Sequence, residues 1–214
     1  MARQLSVLQE DFSIDAVKIG MLGSHEVLNV VVDFLIDVCP AHVVLDPVWR
    51  SSSGHELADD LLIRGIREQL LPLVEVATPN HDEARSLVGA DFLQWEAWTG
   101  SGVKQVLITG GDEATERVEM FLLSPRSRQV FYSERLTGAF HGTGCTLSSA
   151  LAMQLASGRP MQHAVRNARE YVHHALVHAH YPGRGMAFPG RNKKDEKNLE
   201  TMSSGTGRKN KKHL

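Results

Sequence analysis

The chain has 214 residues, enough for one α/β domain with a sizeable core, and its two cysteines, Cys39 and Cys145, exclude a disulfide scaffold and fit a reducing compartment. The formal charge of −2 hides an asymmetry: residues 184–214 carry nine Lys/Arg against three acids, which leaves 14 basic and 22 acidic side chains in residues 1–183. An acidic body argues against nucleic acid as the main partner, and with no run of about 18 apolar residues and no signal-peptide stretch, a soluble cytoplasmic protein without a membrane partner is expected.

In chain order, residues 3–15 read as a helix and its exit loop. Short apolar runs at 16–21 (AVKIGM), 42–46 (HVVLD), 74–78 (VEVAT) and 105–109 (QVLIT) then read as buried strands. Helical patterns at 26–38, 58–71 and 82–88 separate them, and such alternation implies a parallel, doubly wound sheet. Residues 118–123 and 129–133 flank the polar turn SPRSR and predict an antiparallel hairpin. Helices over 144–156 and 160–180 follow. The domain is therefore expected to span 1–183, and 184–214 to be a basic, disordered tail, too poor in apolar residues to bury a core.

Polar residues gather where the strands end: Asp46 in LDPVW, Asn80 in TPNHDE, and Gly110 with Gly111 in ITGGD. In open α/β sheets ligands bind beyond the carboxyl ends of the strands. Asn80 and Glu83 stand three apart at a helix start, so they share a face; they form either a capping box or a pair that holds the waters of a Mg²⁺ ion. Asp46 either brings a carboxylate to metal or phosphate or caps the loop 50-RSSSG-54. His174 and His178 have a spacing that suits zinc, but with no third ligand a solvated helix face is the better reading.

The segment 140-FHGTGCTLSSALAMQLASG-158 places Gly142 and Gly144 ahead of an apolar helical pattern. Glycine allows close backbone approach, Thr143, Thr146 and Ser148 are small hydroxyl residues suited to capping, and a helix start favours an anion. Cys145 falls in the first turn, where the dipole lowers a thiol pKa and suits a base or nucleophile. A tight turn packing over a small cysteine is the competing reading.

The series VKIGM, VVLDPV, LLPLVEVATPNHDEA, VLITGG and HGTGCTLSSALA, followed by AVRNAREYVHHAL, resembles the hydroxymethylpyrimidine/phosphomethylpyrimidine kinases of the ribokinase superfamily. The resemblance implies a three-layer α/β sandwich with a mostly parallel doubly wound sheet. It implies that Gly142, Thr143 and Gly144 form an anion hole for the transferring phosphoryl group, with Cys145 as catalytic base. Asn80 and Glu83 would serve Mg²⁺ and the ATP phosphates, with Gly110 and Gly111 at the nucleotide and Asp46 near the metal. Met21 and Val48 match positions that contact the pyrimidine. The implied reaction is ATP- and Mg²⁺-dependent phosphorylation of hydroxymethylpyrimidine and its monophosphate in thiamine biosynthesis, and a homodimer is among the implied partners.

The family's opening strand and Gly-rich, pyrimidine-binding loop have no counterpart in this sequence, so a sheet without its opening strand is expected. Thr109 stands where many members carry lysine, and the ending 182-PGRGMAFPGR-191 also departs. Two alternatives stay open: an N-terminally shortened, non-catalytic nucleotide-binding remnant, and a pyridoxal kinase.

Overall fold

The computed structural model describes residues 1–49, 57–110 and 117–191. Six strands form one sheet in the order β1 (Ala16–Ile19), β2 (His42–Leu45), β3 (Val76–Ala77), β4 (Gln105–Thr109), β5 (Arg117–Ser124) and β6 (Ser127–Glu134). The pairings β1–β2, β2–β3 and β3–β4 are parallel; β4–β5 and β5–β6 are antiparallel. Each parallel step moves the same way along the sheet, and right-handed crossovers then put the linking helices on one face. Those helices are α2 (His25–Val38), α3 (Asp60–Gly65) and α4 (His81–Val88), with α1 (Ala2–Asp11) leading into β1. The hairpin β5–β6 carries the chain to the other face, where α5 (Thr143–Ala156) packs against β1 and β2 and α6 (Met161–Val177) packs on α5. The result is the expected three-layer sandwich.

Successive strand residues feed opposite layers, as the two-residue period of a strand requires. Val43 and Leu45 join the α2–α4 core, whereas Val44 between them meets α5 and α6. Val106 and Ile108 against Leu107 repeat the pattern on β4. This two-sided burial is why the parallel strands read as unbroken apolar runs.

Several boundaries differ from the sequence reading. The helix expected over 58–71 begins on Asp59, which accepts from Leu62 N at 2.8 Å, but widens into a π turn over Ile66–Leu70 and tightens to a 3-10 turn over Leu71–Leu73. Pro72 lacks the N–H that would continue it. A 3-10 segment, Trp95–Ser101, precedes β4; Trp98 within it is fully buried and donates to Phe92 O at 2.8 Å. Burying such a ring stabilises the fold by about 3 kcal/mol, and its indole N–H finds the partner that burial demands.

The ordered body also runs past the expected boundary at 183. Ala187 is fully buried, Ala187 N donates to Ala139 O, and His141 N donates to Ala187 O, both at 2.9 Å. The apolar run MAFP at 186–189 supplies what the surrounding charges obscured. The remainder of the tail, 192–214, the loop 50-RSSSG-54 and Gly111 lie outside the described residues. No described helix is long and apolar enough to cross a membrane.

Candidate active site

Lys18 lies opposite Val44 in the parallel β1–β2 register, so its side chain shares the face covered by α5. There its Nζ sits 3.1 Å from Oδ2 of Asp46, the residue that follows β2. Asp46 is 4% exposed, and Ser148 Oγ of α5, fully buried, donates to the same oxygen at 3.1 Å. A buried carboxylate demands such compensation, and breaking a pair of this kind costs about 3–5 kcal/mol. Asp46 Oδ2 is thus committed to Lys18 and Ser148 rather than free for a metal ion. Oδ1 faces Gly144, 4.0 Å from where a Cβ at that residue would lie.

Gly142 precedes α5 with φ 81° and ψ 17°, left-handed backbone that explains the glycine, and no side chain caps the helix. The expected hydroxyl caps do not form, because the hydroxyls turn backward: Thr146 Oγ1 donates to Gly142 O at 2.8 Å, and Ser148 Oγ lies 3.0 Å from Gly144 O. Thr143, Gly144 and Cys145 consequently have no protein acceptor for their amides among the described residues. Aligned peptide dipoles add roughly half a positive charge at this end.

Cys145 is exposed as a residue, but its thiol is pushed above the ordinary cysteine value. Partial burial of the sulfur is the main cause, and the Asp46 carboxylate adds to it by charge and by hydrogen bonding; Lys18 and Arg191 pull the other way. A helix start alone would lower this pKa; partial burial and the carboxylate beneath the turn reverse the sign.

Asn80 and Glu83 form the complete capping box of α4: Asn80 Oδ1 accepts from Glu83 N and Glu83 Oε2 accepts from Asn80 N, both at 2.8 Å. Glu83 is 7% exposed. The segment is anchored to β4, where Thr109 N donates to Pro79 O at 2.8 Å. Gly110 has a packing reason of its own, since a side chain there would strike Glu119 O of β5. Met21 (exposed) and Val48 (half-buried) lie just past the ends of the paired strands β1 and β2.

A cavity of about 520 Å³ opens beside Cys145 between α5 and α6, with Asn167, Tyr171 and Arg191 also in its wall. His174 and His178 stack with ring centroids 4.2 Å apart, and His178 Nδ1 donates to His174 O at 2.9 Å. Among the described residues no group of three or more His, Cys, Asp or Glu is arranged for a metal ion. In the sequence, Arg191 carries no sign of a role at the site, Ser148 only that of a helix cap, and Lys18 only its place inside an apolar strand.

A family model described as phosphomethylpyrimidine kinase matches residues 1–189. The chain is 36% identical over 194 residues to the hydroxymethylpyrimidine/phosphomethylpyrimidine kinase of Haemophilus influenzae, covering 85% of this chain and 72% of that protein. It is 34% identical to the chloroplastic bifunctional thiamine-biosynthetic enzyme of Arabidopsis thaliana, covering 88% of this chain but 38% of that longer protein. Among solved structures, the ADP complex of Bacillus subtilis pyridoxal kinase superposes with a TM-score of 0.79 at 28% identity, covering 88% of this chain and 74% of that one. A phosphomethylpyrimidine kinase from Clostridium difficile superposes at 0.71 with 32% identity, covering 82% and 74%.

Proposed function

The chain belongs to the phosphomethylpyrimidine kinase family, and from that premise we propose that it transfers the terminal phosphoryl group of ATP to the hydroxymethyl oxygen of a pyrimidine, and to the resulting monophosphate. The observation that carries this reading is the uncapped start of α5 beside Cys145 and Asp46. Phosphoryl transfer asks a protein chiefly for alignment and charge stabilisation. The unpaired amides of Thr143, Gly144 and Cys145 meet the phosphoryl oxygens, and being preorganised they need no rearrangement as charge develops.

The acceptor hydroxyl loses one proton. Cys145 takes it as its own thiol proton passes to the Asp46 carboxylate, so the thiol is restored and Asp46 ends protonated. This relay suits a thiol that rests protonated over a carboxylate, and Lys18 with Ser148 keep that carboxylate in place.

The donor set fits Mg²⁺ through water. That ion keeps several waters and needs few protein ligands when phosphates supply the rest. Asn80 and Glu83, already oriented by their reciprocal bonds, would hold those waters. Asp46, with Oδ2 taken, is left to the proton. When bound, the ion neutralises phosphate charge during transfer. Met21 and Val48 are assigned to the pyrimidine and Gly110 to the nucleotide side.

A coupled assay with ATP, Mg²⁺ and hydroxymethylpyrimidine tests the reading: substrate-dependent ADP is expected, and its absence contradicts the proposal. The superposition on pyridoxal kinase favours a second substrate, so pyridoxal belongs in the same assay. Faster turnover of pyridoxal would overturn the pyrimidine assignment. Cys145→Ser should lower turnover by about 100-fold with the KM for ATP little changed; near-normal turnover would reject the relay.

A further inference from the structure

The segment after α6 returns across the molecule as a strap. His180 and Phe188 exchange backbone hydrogen bonds of 3.0 and 2.9 Å, Ala187 pairs in parallel with Phe140, and Gly190 N donates to Ala175 O at 2.8 Å. A side chain at Gly190 would strike His178 O, so glycine lets the strap close onto the end of α6. Tyr171 of α6 fixes the next residue by donating its hydroxyl to Arg191 O at 3.3 Å. These bonds hold the backbone of Arg191 and leave its side chain to other work.

That side chain reaches the start of α5. Its Nη2 lies 3.7 Å from where a Cβ at Gly142 would stand, and the residue lines the same cavity as Cys145. The guanidinium has no acidic partner among the described residues. A fixed backbone that delivers an unpaired guanidinium to a turn of unpaired amides is an arrangement for an oxyanion. Arginine's planar fork matches two phosphate oxygens at once, which a lysine cannot do.

We propose that Arg191 is a phosphate-binding residue of this site, its guanidinium taking oxygens of a phosphoryl group seated on the amides of residues 143–145. The inference deepens the kinase reading and rests on it for the identity of the phosphate. It adds a binding group from a segment in which this sequence departs from its family's usual ending.

The test uses the full chain carrying Cys39→Ser, so that Cys145 is the only thiol. Protection of Cys145 from iodoacetamide by inorganic tripolyphosphate reads anion binding without turnover. Arg191→Met should weaken protection about tenfold and Arg191→Lys by less, because the lysine keeps the charge but loses the fork. Circular dichroism and the melting temperature should stay near the parent values, since the guanidinium holds no acidic partner among the described residues. Equal protection in the parent and Arg191→Met would overturn the inference, and so would absence of protection in the parent.

Turnover of the pyrimidine separates this inference from the kinase reading. An active parent matched by an equally active Arg191→Met overturns the role of Arg191 alone. An inactive parent that still binds tripolyphosphate through Arg191 overturns the kinase reading and leaves the phosphate site standing.

Discussion

Helices α4 and α5 both begin beside the carboxyl ends of the parallel strands, yet their first turns are opposites. In α4, Asn80 and Glu83 close the turn with reciprocal bonds of 2.8 Å. In α5, Gly142 offers no side chain, and the hydroxyls of Thr146 and Ser148 point back to carbonyls and to Asp46. A satisfied helix start contributes stability; one with unpaired amides gives up that contribution and keeps its donors for a ligand. The difference assigns the phosphoryl contact to the open turn, whereas the closed turn first holds its helix and orients the two side chains proposed for the Mg²⁺ waters.

The largest test breaks the open turn. Gly142→Asp should remain folded, because aspartate tolerates left-handed backbone and the nearest atom to the new Cβ is 3.7 Å away. Its carboxylate would occupy the anion's place, and turnover should fall by about 100-fold or more. Retained turnover in a folded Gly142→Asp would show that the phosphate sits elsewhere.

A second test sharpens what lies beneath that turn. In Cys39→Ser protein, the alkylation rate of Cys145 should rise with pH through a midpoint above that of an ordinary cysteine, about 8.5. Burial and Asp46 both favour the neutral thiol, so deprotonation needs higher pH. Asp46→Asn removes the negative charge, which should lower the midpoint and speed alkylation at pH 7.5. An unchanged or raised midpoint would remove Asp46 from the account.

The smallest effect is expected at the closed turn. Asn80→Ala should cost about 1 kcal/mol in denaturant unfolding, the usual worth of an N-cap. Glu83→Gln keeps an oxygen that accepts from Asn80 N while removing the charge. Stability should change little, and the Mg²⁺ concentration needed for half-maximal turnover should rise. If that requirement does not move, the box serves the helix alone.

Much of this arrangement is legible in the sequence, because it is local. The alternation of apolar runs marks the strands, and Gly142 to Cys145 marks the turn within a few residues. What escapes depends on register. Lys18 and Asp46 meet only because β1 and β2 pair in parallel with Lys18 opposite Val44. Ser148 reaches Asp46 across 102 positions of chain. The pKa direction at Cys145 follows first from partial burial of its sulfur and then from that distant carboxylate, neither of which is visible at the helix start alone. Arg191 is obscured differently, by the basic run that follows it, and the buried Ala187 with the backbone bonds of Phe188 and Gly190 shows that the fold continues so far.

The most direct measurement compares the two helix starts in one experiment. Amide resonances of an isotopically labelled chain would be followed during titration with a non-hydrolysable ATP analogue and Mg²⁺. The account predicts large shifts for Thr143, Gly144 and Cys145, with small ones for the backbone amides of Asn80 and Glu83, which already have acceptors. Shifts confined to α4, or none at α5, would contradict it.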